Sequence, residues 1–193
     1  MQKEEIETFC PTSQVEWRKW LNKNHITKQS VWLVYHKKKS NKPSIAWSDA
    51  VDEALCFGWI DSRRIPIDEE KFMQFFSKRK VNGTWSKVNK AKIKQLIDKG
   101  RMTKAGFEVI ATAKKNGSWS ILDDVEELKI PSDLHKELNS RAGSKKYFLS
   151  LSKSVKKAIL QWVALAKRPE TRKKRIDEIA ERAVQNLRPK QFM

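Results

Sequence analysis

The sequence predicts an α+β fold: a small mixed or antiparallel sheet with helices in the N-terminal half, and a helical C-terminal half. Two observations support this class. Short runs rich in β-branched and aromatic residues, typical of strands, all lie before residue 80. After Gly83 the apolar residues recur at three- and four-residue spacing, which is typical of helices. We therefore expect an α+β region over 1–120 and a basic helical region over 121–193, with one continuous domain as the alternative.

The first helix and the first strand have clear local signals. Ser13 and Glu16 form a capping box that starts a helix, and the helix ends within residues 22–25. Residues 31–35, Val-Trp-Leu-Val-Tyr, are too short a run for a helix and fit a buried strand. The lysine-rich segment 37–43 is predicted to be an exposed loop.

A second helix and two further strands complete the predicted sheet region. Ser48 is the expected N-cap of the helix, and Gly58 fits the position just past its end. Extended stretches follow at 59–67 and 71–76, and the three residues between them have the length of a hairpin loop.

Helices are predicted from residue 86 onward. Ser86 caps a helix that ends at Gly100, with Ile93, Leu96 and Ile97 on its apolar face. Thr103 caps the next helix, which runs to residue 116.

Three more helices are predicted in the C-terminal region. One spans about 131–139, one begins after Ser152, and one begins at Pro169, a residue that suits the first helical position. The apolar stripe of the last helix is expected to comprise Ile176, Ile179, Ala180, Ala183, Val184 and Leu187.

The charge is strongly positive and unevenly distributed. The chain has 41 Lys and Arg against 23 Asp and Glu, a formal net charge of +18. Residues 141–193 hold 15 basic and 4 acidic residues, a net charge of +11. Such a surface attracts nucleic acid, acidic protein or a phosphorylated ligand through its long-range field. A lysine-rich helical surface without any partner is the alternative.

Several function classes are disfavoured by the sequence. No apolar run approaches the length of a membrane span, and the polar N-terminus does not resemble a signal peptide, so we expect a cytoplasmic protein. The two cysteines and three histidines are too dispersed for a disulfide framework or a metal site. The glycines form neither a P-loop nor a dinucleotide-binding fingerprint. We therefore expect no metal and no cofactor, and Cys56 is interpreted as a small buried hydrophobic residue.

Two polar segments are the candidates for a ligand pocket. One is the junction of helix and strand at 58–64, and the other is Arg79 with the helix start at 84–89. Arg79, Lys87 and the free amides of the helix could hold a phosphate or carboxylate, with Trp85 as a stacking platform. The candidate pocket residues are Trp59, Asp61, Arg63, Arg79, Trp85, Ser86, Lys87 and Asn89.

Structural roles are the alternative for these residues: an Asp61–Arg ion pair, a Ser86 cap and a Trp85 in the core. An enzyme or a small-anion site between the two halves is a further hypothesis. No catalytic residue is assigned, and catalysis is the less favoured interpretation.

A basic docking face is predicted on the last helix. Arg168, Arg172 and Arg175 share one side of the helix by their spacing and could contact several phosphates of a nucleic acid. The residues of the predicted face are Lys167, Arg168, Arg172 and Arg175.

These segments, in this order, resemble the YdeI/OmpD-associated family of bacteriocin-protection proteins. The resemblance is carried by residues 17–25, 31–34, 50–61, 85–89, 100–106 and 162–172, and it extends from about residue 8 to 188. Its most specific part is Ala-Leu-Cys-Phe-Gly-Trp-Ile-Asp at 54–61. Where relatives have Pro-Arg-Lys before the Trp-Ser pair, this chain has Lys78, Arg79 and Lys80.

The resemblance implies a bacterial protein linked to resistance against bacteriocins or cationic antimicrobial peptides, without a known reaction. A highly positive protein repels cationic peptides, so direct capture of a peptide is the least attractive mechanism. Binding of an anionic partner fits the charge better.

Overall fold

A four-stranded mixed sheet forms the centre of the N-terminal part of the protein. The computed structural model describes residues 6–193. The strand order is β1-β2-β4-β3, with β1 parallel to β2 and the other two pairings antiparallel. The strands are β1 (Thr8–Phe9), β2 (Ser30–His36), β3 (Trp59–Pro66) and β4 (Lys71–Lys78).

Helices account for most of the remaining chain. Within residues 6–193 they are α1 (Gln14–Asn24), α2 (Trp47–Cys56), α3 (Lys87–Asp98), α4 (Lys104–Lys115), α5 (Asp123–Glu126), α6 (Ser132–Asn139), α7 (Ser144–Ser150), α8 (Lys153–Ala164) and α9 (Pro169–Val184). No helix in this range is long and apolar enough to cross a membrane. The predicted α+β class, with a sheet in the N-terminal half and helices in the C-terminal half, is confirmed.

The chain divides into two compact units, of which the first ends at Ser118 and the second begins at Trp119. An aromatic cluster forms the core of the first unit. The ring of Trp17 on α1 lies 5.1 Å from that of Trp20 and 5.5 Å from that of Phe76 on β4. Trp20 in turn contacts Trp59 of β3 edge to face at 5.9 Å. Because large aromatic side chains bury much apolar surface, this cluster fixes α1 against the sheet.

The second unit has a core of its own, built from α5 to α9. Leu134 and Leu138 of α6, Phe148 of α7, Ile159 of α8 and Ile179 of α9 are all almost completely buried in it. The apolar stripe of α9 thus faces its neighbouring helices.

Close contact between α2 and α4 positions the residues discussed below. A Cβ atom on Gly106 of α4 would lie 2.3 Å from the carbonyl oxygen of Cys56, so only glycine allows this approach. The same carbonyl accepts hydrogen bonds from the backbone N–H of Thr103, at 3.1 Å, and from its hydroxyl, at 2.6 Å. Gly58 has φ +74°, a left-handed conformation that lets the chain turn from α2 into β3. The start of α4 is therefore held against the end of α2.

Most helix starts agree with the sequence. Ser13, Ser86, Thr103 and Ser152 each accept a hydrogen bond from the backbone N–H three residues on, as predicted. The side chain of Glu16, however, accepts from the N–H of Thr12 rather than completing the capping box at Ser13.

The predicted cap at Ser48 is wrong. The N-cap of helix α2 is Ala46, two residues before Ser48; the helix begins at Trp47, and Ala46 supplies no side-chain hydrogen bond. The hydroxyl of Ser48 instead points to the carboxylate of Asp49, at 3.4 Å.

Three residues assigned to apolar faces are substantially exposed: Ile97, Val184 and Leu187. Ile97 and Val184 each follow the last buried residue of their helix by one position, which turns a side chain by about 100° around the helix axis. Leu187 lies beyond the end of α9.

Candidate functional site

Arg79 lies at the end of β4, next to the start of β3. Its backbone N–H donates to the carbonyl of Gly58 at 3.0 Å. Its Nη1 donates to the carbonyl of Thr84 at 3.1 Å, and its guanidinium carbon lies 3.6 Å from the ring centre of Trp85. Three contacts therefore fix both the backbone and the side chain.

The charge of Arg79 is buried and incompletely satisfied. Its Nε and Nη2 atoms are inaccessible to solvent and have no hydrogen-bond partner among the described residues. Burial lowers the pKa of Arg79 to about 10, although the field of Asp61 acts in the opposite direction. The guanidinium is thus charged at neutral pH. Since a buried ion without a partner is costly, this arrangement fits a group that awaits an anion.

A cavity of about 580 Å³ adjoins this guanidinium. Lys78, Arg79 and Lys104 contribute positive charge to its lining, and Glu108 contributes the one carboxylate among the lining residues that the structure describes. The lining residues are His25, Ile26, Phe57, Gly58, Trp59, Lys78, Arg79, Lys104, Ala105, Glu108 and Val109. We call this space the Arg79 cavity.

Two further features make the Arg79 cavity suitable for an anion. Trp59 has no exposed surface, and its indole Nε1, a hydrogen-bond donor, has no partner among the described residues. Lys104 and Ala105 belong to the first turn of α4, where free amides and the helix dipole favour negative charge. Buried donors and a positive potential thus occur in the same place.

A smaller cavity of about 140 Å³ lies on the Trp85 side of the guanidinium. It shares Arg79, Glu108 and Val109 with the larger cavity. Trp85 is only 3% exposed, and Arg79 covers its ring. The predicted stacking platform therefore stacks with the arginine.

The structure brings together three of the eight candidate pocket residues, Trp59, Arg79 and Trp85, around the two cavities. Asp61 lines neither of them: its carboxylate accepts from Trp47 Nε1 and from Gln74 Nε2, each at 3.1 Å. Within residues 6–193, no ion pair joins Asp61 to an arginine.

The remaining candidates lie on the sheet or at the start of α3. Arg63 is exposed and stacks over Trp32 at 5.1 Å. The Ser86 hydroxyl accepts from the N–H of Asn89 at 3.2 Å, so its role is that of a helix cap. Lys87 and Asn89 occupy the first turn of α3 and do not line either cavity.

Sequence reasoning missed four polar residues of the Arg79 cavity: His25, Lys78, Lys104 and Glu108. They come from α1, β4 and α4, which are far apart in sequence. The Thr103 cap did reveal a helix start at Lys104, but no local pattern places that start beside Arg79.

In the second unit, the predicted basic docking face contains residues with different roles. Arg172 forms a bidentate pair with Asp133, at 2.6 and 2.9 Å, and this pairing lowers the pKa of that carboxyl. Arg175 stacks over Trp162 at 5.0 Å. Lys167 and Arg168 are exposed at the start of α9. Two of the four residues therefore stabilise their own unit.

Fold and cavity together define an α+β protein with a cationic cavity in its sheet-containing unit. The chain belongs to the family of the domain of unknown function DUF8412, whose model matches residues 9–109. Residues 127–186 match the model described as "Bacteriocin-protection, YdeI or OmpD-Associated". The predicted resemblance is thus confirmed for residues 127–186, whereas the N-terminal segments that contributed to it fall within the other family. No match was found among curated proteins or among solved structures.

Proposed function

We propose that this protein binds a small phosphorylated ligand in the Arg79 cavity and that it contributes to bacteriocin protection through this binding. The binding proposal rests on the buried guanidinium of Arg79, two of whose donors lack a partner in the described part of the chain, beside a cavity of about 580 Å³. The proposed link to bacteriocin protection rests on the family match of residues 127–186.

A phosphate group suits the polar part of the lining. Lys78, Arg79 and Lys104 outnumber the single carboxylate of Glu108, so a doubly charged anion is better compensated here than a singly charged one. Arginine donors and a helix N-terminus are both common partners of phosphate oxygens. Ile26 and Val109 provide apolar surface for the organic part of the ligand.

Binding is favoured over catalysis because of what lines the Arg79 cavity. Its described lining contains no hydroxyl or thiol side chain that could act as a nucleophile. Cys56 lies near α4 but is buried, and burial raises the pKa of its thiol to about 11, which keeps it protonated at neutral pH.

The binding proposal is tested by calorimetric titration with phenyl phosphate at low ionic strength, with phenol as the uncharged comparison. We expect saturable binding of phenyl phosphate only. Arg79→Met should weaken it at least tenfold, or about 1.4 kcal/mol, because the positive charge of the guanidinium beside the cavity is lost. Arg188→Met removes the same charge from an exposed position of the second unit and should leave the affinity unchanged. Equal affinities of Arg79→Met and wild type contradict the proposal.

The link to bacteriocin protection requires a separate assay. Sensitive bacterial cells that express the wild type should survive a bacteriocin better than cells with an empty vector. Cells that express equal amounts of Arg79→Met should lose this advantage. If Arg79→Met protects cells fully although it no longer binds phenyl phosphate, bacteriocin protection does not depend on the Arg79 cavity.

A further inference from the structure

A second cavity, of about 380 Å³, lies beside α1 in the first unit, and its charged lining residues differ from those of the Arg79 cavity. Arg18, Lys19 and Arg101 provide positive charge, and Val15 and Phe57 provide apolar surface. We call it the Arg18–Arg101 cavity. Neither arginine lines the Arg79 cavity, so its ligand chemistry is a separate question.

A buried carboxylate holds the two arginines in place. Glu53 on α2 has no exposed surface. One of its oxygens accepts from Arg18 Nη1 at 2.7 Å, and the other accepts from Arg101 Nη2 in a closer contact and from Gln14 Nε2 at 2.8 Å. Arg18 Nη2 also donates to the carbonyl of Arg101 at 2.9 Å. The guanidinium groups are therefore oriented before any ligand arrives.

This cluster retains positive charge at the cavity surface. One carboxylate compensates one of the two guanidinium charges, and each arginine side chain remains about one third exposed, at 36% and 35%. Every arginine has five N–H donors, of which Glu53 and one carbonyl occupy only a few. Lys19 adds a further cation to the lining.

We infer that the Arg18–Arg101 cavity binds a small organic carboxylate. Arginine forks match the planar geometry of a carboxylate, and the surplus of one charge in the Arg18–Glu53–Arg101 cluster fits a monoanion. The apolar part of the ligand packs on Val15, which is exposed in the lining, while Arg18 covers the ring of Phe57 at 5.3 Å. This inference goes beyond the proposed function and does not depend on it.

Calorimetric titration with benzoate at low ionic strength tests the inference. Wild type should show saturable binding. Arg101→Lys keeps a cation beside Glu53 but loses the fork, and it should bind at least tenfold more weakly. Arg188→Lys is the matched control at an exposed position, and Arg79→Met reports on the other cavity; both should stay within twofold of wild type. Wild-type affinity of Arg101→Lys, or absence of saturable benzoate binding, overturns the inference.

A second measurement needs no substitution and therefore does not depend on whether a variant folds. Phenylglyoxal modifies accessible arginines, and peptide mass spectrometry gives the rate at each residue. Benzoate should slow modification of Arg18 and Arg101 at least threefold and leave Arg188 unaffected. Equal rates with and without benzoate overturn the inference, and equal protection by inorganic phosphate overturns the assignment to carboxylates.

Discussion

Replacement of Gly106 by alanine should destabilise the protein, although helix propensity alone would predict a gain in stability. In an ordinary helix interior, glycine to alanine stabilises by about 0.5–1 kcal/mol because alanine loses less backbone entropy. Here the new Cβ would lie 2.3 Å from the carbonyl oxygen of Cys56 and 2.7 Å from Cε of Met102. Met102 can move, whereas the carbonyl belongs to the end of α2. Helix α4 must therefore shift by about 1 Å to restore a normal contact.

The shift carries an energetic cost that the structure allows us to bound. It weakens the two hydrogen bonds from Thr103 to Cys56, each of which contributes about 0.5–1.5 kcal/mol. Overpacking a close contact costs about 1–3 kcal/mol in addition. After the propensity gain is subtracted, Gly106→Ala should destabilise the first unit by about 1 kcal/mol or more.

Urea denaturation followed by tryptophan fluorescence measures this change, because six of the eight tryptophans lie in the first 118 residues. Ala111→Gly, at an exposed position of the same helix, is the control and should cost only about 0.5–1 kcal/mol. If Gly106→Ala is as stable as the wild type, the close approach of α2 and α4 is refuted.

Three further predictions concern the second unit. Arg172 lowers the pKa of Asp133 in the folded state, so the pair stabilises the protein at pH values above the ordinary carboxyl pKa. This stabilisation is lost as the pH falls through the lowered pKa of Asp133. Asp133→Asn should therefore flatten the acid side of a profile of stability against pH. If nucleic acid binds the basic face, replacing Lys167 and Arg168 by alanine should reduce the dependence of log affinity on log salt by up to about two, and absence of any binding at low salt contradicts this function. We expect residues 121–193, produced alone, to unfold cooperatively on heating in circular dichroism; a non-cooperative signal contradicts an independent domain.

The sequence was informative wherever a short segment determines its own structure. Four helix starts can be predicted locally because the cap side chain accepts a hydrogen bond from an amide only three residues away. These caps are Ser13, Ser86, Thr103 and Ser152. Short elements without such a signal were missed, namely β1, α5 and α7. Strand β1 has two residues and exists through its parallel pairing with β2, which no local pattern encodes.

The candidate sites are harder to predict from the sequence because their residues come from segments that are far apart in the chain. Arg79 and Trp85 are close in sequence, and the Arg79 guanidinium lies 3.6 Å from the ring centre of Trp85. Glu53 lies 35 residues from Arg18 and 48 from Arg101, so their cluster depends on how α1, α2 and the start of α4 pack. A lone glutamate in an apolar helix carries no signal of its two arginine partners. Glu53 is recognised as part of this cluster by its complete burial in the structure, not by its spacing in the sequence.

We propose that the buried charge of Arg79 serves a ligand rather than the fold. The most direct test measures the free energy of unfolding of wild type and of Arg79→Met, each without phenyl phosphate and with it. The phenyl phosphate concentration is the same for both proteins, at about 100 times the dissociation constant of the wild type. We predict that, without the ligand, Arg79→Met is at least as stable as the wild type, because a buried charge without an ionic partner is removed. With the ligand, the wild type should gain about 2.7 kcal/mol, and Arg79→Met, whose affinity is at least tenfold lower, should gain at most about 1.4 kcal/mol. A strongly destabilised Arg79→Met that gains as much as the wild type from phenyl phosphate would contradict the claim.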